Sequence, residues 1–285
     1  MAKDRFSRPR WHGLTRLVAY EDKREIWADY GYAPHSGQIV AHRSNARFKV
    51  LSCGRRWGKT TGFAVGEVLP VLLLGGWVWG CGPDHETSSV LFDAVIEAID
   101  RSPNLMAALA EDPNMAKGNQ VMRFRSGGLY AAKSMNDDRR LRGRGLDLVA
   151  CDEGAMIPTG KPWNQGLRPA LSDRLGGAIF TSTPKGGGDH WYKKIFDYGD
   201  KRLLSADQRD PRPDWMSFHF PSSSNPYLPK SEIRDAKRDS TEEDFLQEWL
   251  AVFLDEAGGV FKAYLDVALA DLVEDENGRL HDPEA

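Results

Sequence analysis

The sequence is poor in cysteine. Cys53, Cys81 and Cys151 are the three that it contains, and their spacing matches no pairing pattern. An odd number without close pairs indicates neither a disulfide framework nor a zinc site. We expect all three to be small buried residues of a core.

Long apolar runs are lacking as well. The longest uncharged run, residues 68–83, is interrupted by Pro70, Gly75, Gly76 and Gly80, and it is shorter than the roughly 20 apolar residues that a membrane-spanning helix needs. Lys3, Asp4 and Arg5 are charged where a secretory signal would have its apolar centre. These features favour a cytoplasmic protein that does not enter a membrane.

A large charge of one sign is also lacking, since the formal net charge is −3. The charge is nevertheless unevenly distributed: residues 241–285 contain thirteen acids and two bases, which leaves residues 1–240 with about eight more bases than acids. A basic body with an acidic tail is compatible with a phosphate-rich partner. A solvated basic surface is the competing interpretation.

Through the middle of the chain, short apolar runs alternate with helical patterns. Strand-type runs occupy residues 47–52, 76–82, 121–125, 129–133, 146–151 and 178–182, and apolar residues recur at helical spacing in 14–30, 60–68 and 86–100. This alternation predicts an α/β fold with a mostly parallel sheet flanked by helices. The third and fourth runs predict a hairpin.

The alternation stops near residue 184. Residues 185–230 are rich in Gly, Pro, Ser and Asp, and we expect helices after them that are opened by Ser231 and by Thr241, the latter with Asp244 as its capping partner. The predicted organisation is an N-terminal helical region at residues 1–46, the main core at 47–204, a small lid at 205–260 and an acidic linker at 261–285.

A glycine-rich turn lies between the first strand and the helix after it. It reads Gly54-Arg55-Arg56-Trp57-Gly58-Lys59-Thr60-Thr61, and strand, turn and helix are the setting of a phosphate-binding loop. Backbone N–H groups would hold a polyphosphate, Lys59 would neutralise its β and γ oxygens, and the Thr60 hydroxyl would bind Mg²⁺. The match is imperfect, because Cys53 stands where the general pattern has its first glycine. A glycine turn with an exposed lysine is the alternative.

The strand at 146–151 ends in two acids, Asp152 and Glu153. A buried strand would bring Asp152 to the metal and leave Glu153 beyond the strand end, where it could polarise a water in line with the γ-phosphate. Acids cap many strands, so this pattern alone is common. The loop and the acids in this order together indicate an enzyme that hydrolyses ATP with Mg²⁺.

Two further segments are candidates for the same site. Thr181-Ser182-Thr183 ends the next strand, where hydroxyls can sense the γ-phosphate or the attacking water and pass its loss to a moving segment. An ordinary turn is an equally good interpretation. Residues 139–144 contain four arginines, which could supply transition-state charge. A solvated basic loop would have the same composition.

Together these residues resemble the ATPase portion of large terminase subunits, the motors that package double-stranded DNA into the heads of tailed phages. Terminases similarly carry Gly-Arg-Arg before Gly-Lys-Thr, which accounts for the displaced glycine at Gly54. The likeness covers about residues 30–261 and continues through Leu141–Val149, Asp152-Glu153, Thr181–Pro184, Phe218–Pro221, Asn225–Pro229 and Phe245–Phe253.

The resemblance implies a P-loop NTPase of the additional-strand type and roles for single residues. Gln38 would recognise adenine, for which a surface glutamine is the alternative interpretation. Thr181–Thr183 would couple hydrolysis to movement, and Arg142 would be an arginine donated to the neighbouring subunit of a ring. Arg55 or Arg56 would reach the γ-phosphate within its own subunit.

The resemblance also implies partners, namely double-stranded DNA, a small terminase subunit and a capsid portal on which a homo-oligomeric ring assembles in the host cytoplasm. Family members usually continue into a metal-dependent nuclease of RNase H type. This chain ends at Ala285, about where that domain would begin, and we expect no nuclease in it. A helicase-like DNA translocase and a nucleotide-dependent assembly module with little turnover are the alternatives.

Overall fold

The computed structural model describes residues 18–136, 141, 145–200 and 212–254, and the backbone of 273–274 and 280–281. Seven strands of this part form one sheet in the order β3-β4-β2-β5-β6-β1-β7. The strands are β1 (Phe48–Cys53), β2 (Trp77–Gly82), β3 (Val121–Arg123), β4 (Leu129–Ser134), β5 (Leu148–Asp152), β6 (Gly177–Ser182) and β7 (Trp215–Phe220). All neighbours are parallel except β3 and β4, which form the expected antiparallel hairpin. A separate antiparallel pair consists of β8 (Val273–Glu274) and β9 (Leu280–His281).

The order of the central strands places the candidate motifs at one edge. Strand β6 lies between β1, which leads into the glycine-rich loop, and β5, which carries Asp152. This is the additional-strand arrangement, as expected. Ser52 pairs with Ser182, and Asp152 pairs with Thr181. Because the strands are parallel and in register, their carboxyl ends meet at the same edge of the sheet.

Helices cover both faces of the sheet. In the described residues they are α1 (Tyr20–Asp29), α2 (Ser36–Arg43), α3 (Val65–Leu73), α4 (His85–Asp100), α5 (Pro103–Ala108), α6 (Arg168–Ala170), α7 (Trp191–Gly199), α8 (Lys230–Asp239) and α9 (Glu242–Glu248). A π-helical turn at Lys59–Ala64 leads into α3, and another at Trp163–Leu167 leads into α6. Short 3₁₀ turns lie at Gly154–Met156 and Ser222–Ser224.

Two apolar clusters fill the space between the sheet and its helices. On one face, Leu69 and Phe92 from α3 and α4 are fully buried. On the other face, Trp163, Phe196 and Phe253 are buried against the same sheet. Burying each such side chain stabilises the fold by about 1.5–3 kcal/mol, so the edge that carries the motifs rests on a rigid three-layer core.

The uncharged run at 68–83 forms most of α3 and all of β2, and nearly all of it is buried. Among the described residues, no helix combines the length and apolarity needed to cross a membrane. Apolar residues around the whole circumference of a short helix are typical of a helix enclosed by its own protein.

The three cysteines are free and buried, as expected.

The structure corrects the expected boundary of the lid. Trp215–Phe220 lies within the segment 205–260 that the sequence assigned to a lid, but it pairs along its whole length with β1 and is therefore part of the main sheet. Helix α9 begins after Thr241, whose side chain accepts from Asp244 N, as expected. Helix α8 begins at Lys230, after Pro229, rather than at Ser231. The acidic segment 261–285 lies outside the described residues except for the backbone of β8 and β9.

Candidate active site

The first glycine of the loop after β1 stands at position 54, one place later than in the general pattern. Cys53 is the last residue of β1 and is buried, so the chain is still extended where the general pattern has its first glycine. The turn begins at Gly54, where a Cβ atom would lie 2.4 Å from both Ser222 Oγ and Trp249 O. Only glycine fits this approach without a shift of neighbouring backbone. The close approach of the segment after β7 therefore explains why the glycine stands at position 54.

The segment after β7 also forms hydrogen bonds with the backbone of the loop. Ser222 Oγ donates to Arg55 O at 2.7 Å, and Asn225 Nδ2 donates to Arg56 O at 2.7 Å. These bonds turn two loop carbonyls toward the protein. When the carbonyl groups of a turn are hydrogen-bonded to the rest of the protein, its N–H groups can face a bound anion.

Trp57 anchors the centre of the loop. Its ring is buried, stacks on Phe220 at 4.5 Å between centroids and donates from Nε1 to Ser224 Oγ at 3.0 Å. The Trp57 ring is thus held inside the protein, and contact of Trp57 with ATP stays a prediction. Gly58 then adopts a left-handed φ of 87°, which only glycine reaches without strain, and the chain enters the helical turn at Lys59. Thr61 lies on the exposed side of that turn.

Lys59, Thr60 and the two acids meet in one network. Lys59 Nζ lies 3.0 Å from Glu153 Oε1. Thr60 Oγ1 donates to Asp152 Oδ2 at 2.5 Å. The structure thus brings together the loop and the acidic strand, although their residues are about 90 positions apart in the sequence.

The third candidate segment joins this network through its hydroxyls. Thr181 Oγ1 donates to Asp152 Oδ1 at 2.7 Å, and Ser182 Oγ donates to Glu153 Oε2 at 3.1 Å. Thr183 lines the adjacent cavity. Each acid is consequently held between a group of the loop and a hydroxyl of β6, and the coupling role of Thr181–Thr183 stays a prediction.

Burial and charge shift the proton affinities of this network. Burial, reinforced by the charge of Glu153, raises the pKa of Asp152 above its ordinary value, against the opposing effects of Lys59, Thr60 and Thr181. Burial disfavours the charged form of Lys59, but the carboxylates of Glu153 and Asp152 outweigh it and raise the lysine pKa. Lys59 is therefore a permanent cation near neutral pH. A cation held in this way can neutralise an anion without giving up its proton.

These groups open into a cavity of about 720 Å³. Lys59, Glu153 and Thr183 line it together with three residues that the sequence did not suggest, Lys185, Asn136 and Glu248, and with both loop arginines. A cavity of this size accommodates a ligand as large as a nucleotide.

Gln38 lies against the loop rather than on the surface. Its side chain belongs to α2, is 4% exposed, accepts from His35 N at 3.1 Å and donates from Nε2 to Gly58 O at 3.0 Å. The surface interpretation is therefore wrong. The amide is hydrogen-bonded to the glycine-rich loop, so it can support the backbone of Gly58. Its recognition of adenine stays a prediction.

A buried charged group supports the loop helix from behind. The carboxylate of Glu67 in α3 accepts hydrogen bonds from three side chains, namely Lys23 Nζ at 2.8 Å, His42 Nδ1 at 2.7 Å and Lys49 Nζ at 3.2 Å. The other ring nitrogen of His42, Nε2, lies 3.0 Å from Tyr32 Oη. Because ionised Glu67 only accepts, His42 donates from Nδ1 and accepts from Tyr32. This cluster joins α1, α2, β1 and α3, and no sequence pattern had suggested it.

Burial sets the protonation of the cluster. It lowers the pKa of His42 to about 4, with the bond to Glu67 opposing it, and lowers the pKa of Lys49 to about 8. Burial would raise the pKa of Glu67, but Lys23, Lys49 and His42 outweigh it and hold that pKa well below its ordinary value. Glu67 is thus ionised and His42 neutral at pH 7.

Arg142 lies outside the described residues, as do the other arginines of 139–144. Their neighbour Leu141 is buried in the core. The role given to Arg142 stays a prediction, and so does the expectation that the chain carries no nuclease.

Comparisons with known proteins agree with this geometry, although no family model matches. The chain is 27% identical to the large terminase subunit of Thermus virus P23-45 in an alignment of 252 residues, and the match covers 81% of this chain and 51% of that protein. The chain is therefore similar to large terminase subunits. It is also 26% identical to the large terminase subunit of Escherichia phage T5 in an alignment of 266 residues, and the match covers 90% of this chain and 55% of that protein.

A solved structure shows the same architecture. The large terminase ATPase domain of Thermus phage P74-26 superposes with a TM-score of 0.70 at 27% identity, covering 81% of this chain and 98% of that one. The chain spans about half the length of the curated relatives it matches. Its described residues therefore have the fold of that solved ATPase domain.

Proposed function

We propose that this protein binds ATP with Mg²⁺ and hydrolyses it. The observation that carries the proposal is the single network in which Lys59, Thr60, Asp152, Glu153 and Thr181 converge at three strand ends. Asp152 and Thr181 are buried, and Lys59 and Glu153 line one cavity beside them. This combination of a phosphate loop, a metal-binding pair and an acid suits phosphoryl transfer.

The residues present fit a magnesium ion. Thr60 and Asp152 offer a hydroxyl and a carboxylate oxygen side by side, which are ligands that Mg²⁺ prefers. Bound Mg²⁺ would neutralise charge on the β and γ oxygens. The second oxygen of Asp152 is held by Thr181, so the carboxylate is oriented before the ion arrives.

Glu153 is the proposed general base. Ser182 and Lys59 hold its two oxygens, and its backbone has a left-handed φ of 51°, which turns the side chain away from the line of β5. The carboxylate would accept a proton from the attacking water while Lys59 and the loop N–H groups stabilise the charge on the phosphate. Positioning and charge neutralisation account for most of the rate enhancement in such reactions.

We further propose that the energy of hydrolysis drives translocation of double-stranded DNA into a viral procapsid. The similarity to large terminase subunits supports this, and the coupling role of Thr181–Thr183 rests on the bonds from Thr181 and Ser182 to the two acids. A ring of subunits on the capsid portal and a small terminase subunit are the proposed partners. Gln38, Arg55 and Arg56 are the proposed additional contacts to ATP.

Steady-state ATPase activity, measured with and without double-stranded DNA, tests the proposal. Lys59→Ala should abolish turnover, because the loop then lacks its buried cation, whereas Lys237→Ala on the exposed side of α8 should leave turnover unchanged. Strand separation would favour a helicase-like translocase. Absence of turnover in an assembled ring would favour an assembly module.

The proposed trans role of Arg142 requires mixed rings. Arg142→Ala and Glu153→Gln subunits, each inactive alone, should partly recover activity when mixed, because some interfaces then combine an intact Glu153 with an intact neighbouring Arg142. Such arginines are worth about 10³–10⁵ in rate, so recovery is easy to detect. Co-assembly without recovery would assign the role to another arginine.

A further inference from the structure

Three glycines follow one side of the loop helix, by which we mean the π-helical turn after the loop together with α3. Gly58, Gly62 and Gly66 recur at intervals of four residues. A Cβ atom at Gly62 would lie 2.5 Å from Gln38 Nε2, and one at Gly66 would lie 3.0 Å from a ring carbon of His42. Two side chains of α2 therefore lie directly on the main chain of the loop helix, an approach that glycine permits.

The glycine side leaves the position of α2 to hydrogen bonds. Packed helices are ordinarily kept in register by side-chain ridges that enter grooves, and glycine supplies no ridge. At eight residues α2 is also too short to be stable without its neighbours. In its first turn Gln38 Nε2 donates to Gly58 O at 3.0 Å, and in its last turn His42 Nδ1 donates to Glu67 Oε1 at 2.7 Å. One side-chain hydrogen bond thus holds each end of α2 beside the loop helix.

Glu67 is itself fixed to the strand that leads into the loop. Lys49 Nζ of β1 lies 3.2 Å from its Oε2, and Lys23 Nζ of α1 lies 2.8 Å from its Oε1. Lys23 Nζ also donates to His42 O at 3.4 Å. All four residues are at most 8% exposed, so little water competes for these charge-assisted bonds. One buried carboxylate therefore sets the position of α2 relative to β1.

The pair of His42 and Glu67 can affect the candidate site through α2. Neither residue is among the described residues that line the cavity. Gln38 lies one helical turn before His42 on the same side of α2, and it is bonded to the backbone of the loop. Because α2 is a single short helix, a shift of its last turn also shifts Gln38.

The phosphate end of the site is held by other contacts. Lys59 is paired with Glu153, and the Thr60 hydroxyl is bonded to Asp152, both at the end of β5. These contacts do not include α2. A shift of α2 therefore leaves the groups proposed for the phosphates and the metal in place, and it displaces the group proposed for the base.

We propose that the hydrogen bond between His42 and Glu67 sets the position of Gln38 beside the loop, and thereby the affinity of the site for the base of a nucleoside triphosphate. The proposal rests on the proposed nucleotide site and adds two positioning residues to it, since both act through α2. Their loss should weaken binding of a ligand that has a base and spare a ligand that consists of phosphates alone.

Calorimetry on the full chain with ATP and with inorganic triphosphate, each with Mg²⁺, tests this difference. His42→Leu keeps most of the volume and removes the bond. Its dissociation constant for ATP should rise at least about five-fold, while that for inorganic triphosphate changes by less than about two-fold. His42→Asn, which retains a donor near Nδ1, should bind both ligands as the unmodified protein does. Val40→Ala, at an exposed position of α2, should change neither ligand.

A general loss of stability has a different signature. Ile195→Val removes a buried methyl group from α7, on the other face of the sheet, and it should lower the free energy of unfolding without changing either dissociation constant. Equal weakening of both ligands in His42→Leu would show that His42 only stabilises the fold, and it would overturn the proposal. Unchanged ATP binding in His42→Leu would overturn it as well.

A double-mutant cycle with Gln38→Ala identifies the route. Because the amide is then already lost, His42→Leu should weaken ATP binding less in the Gln38→Ala background, and an equal effect in both backgrounds would overturn the route through Gln38. If His42→Leu does not fold, Lys23→Met serves instead, because it removes the bond to His42 O, and it should also weaken ATP binding selectively.

The unmodified protein distinguishes failure of this proposal from failure of the proposed function. If it binds ATP no more tightly than inorganic triphosphate, the base adds no affinity and the positioning role alone is overturned. If it does not bind ATP, both the positioning role and the proposed function are overturned.

Discussion

The ammonium group of Lys59 lies 3.0 Å from Oε1 of Glu153. The proposed ligand of the γ-phosphate and the proposed base are thus paired with each other, one from the loop after β1 and the other from the end of β5. A phosphate bound by Lys59 would leave one oxygen of Glu153 without its partner. We therefore expect phosphate binding to free the proposed base through this ion pair.

The Thr60 hydroxyl should determine the requirement for magnesium. Thr60→Val keeps the shape of the side chain but removes the oxygen that bonds Asp152. The Mg²⁺ concentration for half-maximal ATPase activity should rise at least about ten-fold. Thr60→Ser, which retains the hydroxyl, is the matched control and should stay near the unmodified protein. Equal Mg²⁺ dependence of the valine and serine variants would remove Thr60 from the metal site.

Gly54 should be essential to the join between the loop and the segment after β7. In Gly54→Ala the added Cβ would lie 2.6 Å from Ser222 N, so the main chain of that segment must move. Such overpacking costs about 1–3 kcal/mol in the free energy of unfolding, which urea denaturation measures. Gly37→Ala is the milder comparison, because its Cβ would lie 3.3 Å from a side-chain atom of Trp57, a contact that a movement of a few tenths of an ångström relieves. A Gly54→Ala protein as stable as the unmodified one would show that the join is loose.

His42 should make the fold sensitive to acid. Its folded pKa of about 4 lies below the ordinary value of 6.5, so between these values the unfolded chain binds the proton more readily. The free energy of unfolding then falls as pH falls from 6.5 to 4, by about 3 kcal/mol for this group. Lys23, Lys49, Glu67 and Tyr32 surround it, and the depressed pKa of Glu67 adds a further loss in acid below 4.5.

Urea denaturation at several values between pH 7 and pH 5 checks this dependence. His42→Asn retains a donor near Nδ1 but cannot titrate, so its stability should vary less with pH than that of the unmodified protein. His85→Asn, at an exposed position, should keep the original dependence. Parallel curves for His42→Asn and the unmodified protein would contradict the assignment.

The sequence predicted the centre of the site because its residues follow strand ends. Strand runs before Gly54, Asp152 and Thr181 are recognisable from apolar composition, and parallel pairing in register brings their ends together. The surroundings of the site could not be predicted in this way. Ser222 and Glu248 reach the loop across more than 160 positions of sequence, and nothing in their local pattern marks the contact.

Composition was misleading in two places. The segment after Pro184 is rich in turn residues, so its composition did not predict helix α7. The buried residues of this helix include Trp191, Tyr192 and Phe196. The run Trp215–Phe220 is flanked by prolines and was assigned to a lid, yet it forms an edge strand beside β1. Tertiary pairing decides both cases, because an amphipathic segment of this length becomes stable only against a partner surface.

The most direct test of the central claim is steady-state ATP hydrolysis by Glu153→Gln beside equilibrium binding of ATP. Glutamine cannot accept the proton of the attacking water, so the rate should fall by about 10²–10⁴, while binding stays the same or tightens because Lys59 loses a competing partner. Glu232→Gln, an exposed acid on α8, should retain the full rate. Hydrolysis by Glu153→Gln at the rate of the unmodified protein would contradict the assignment of Glu153 as the base of this ATPase site.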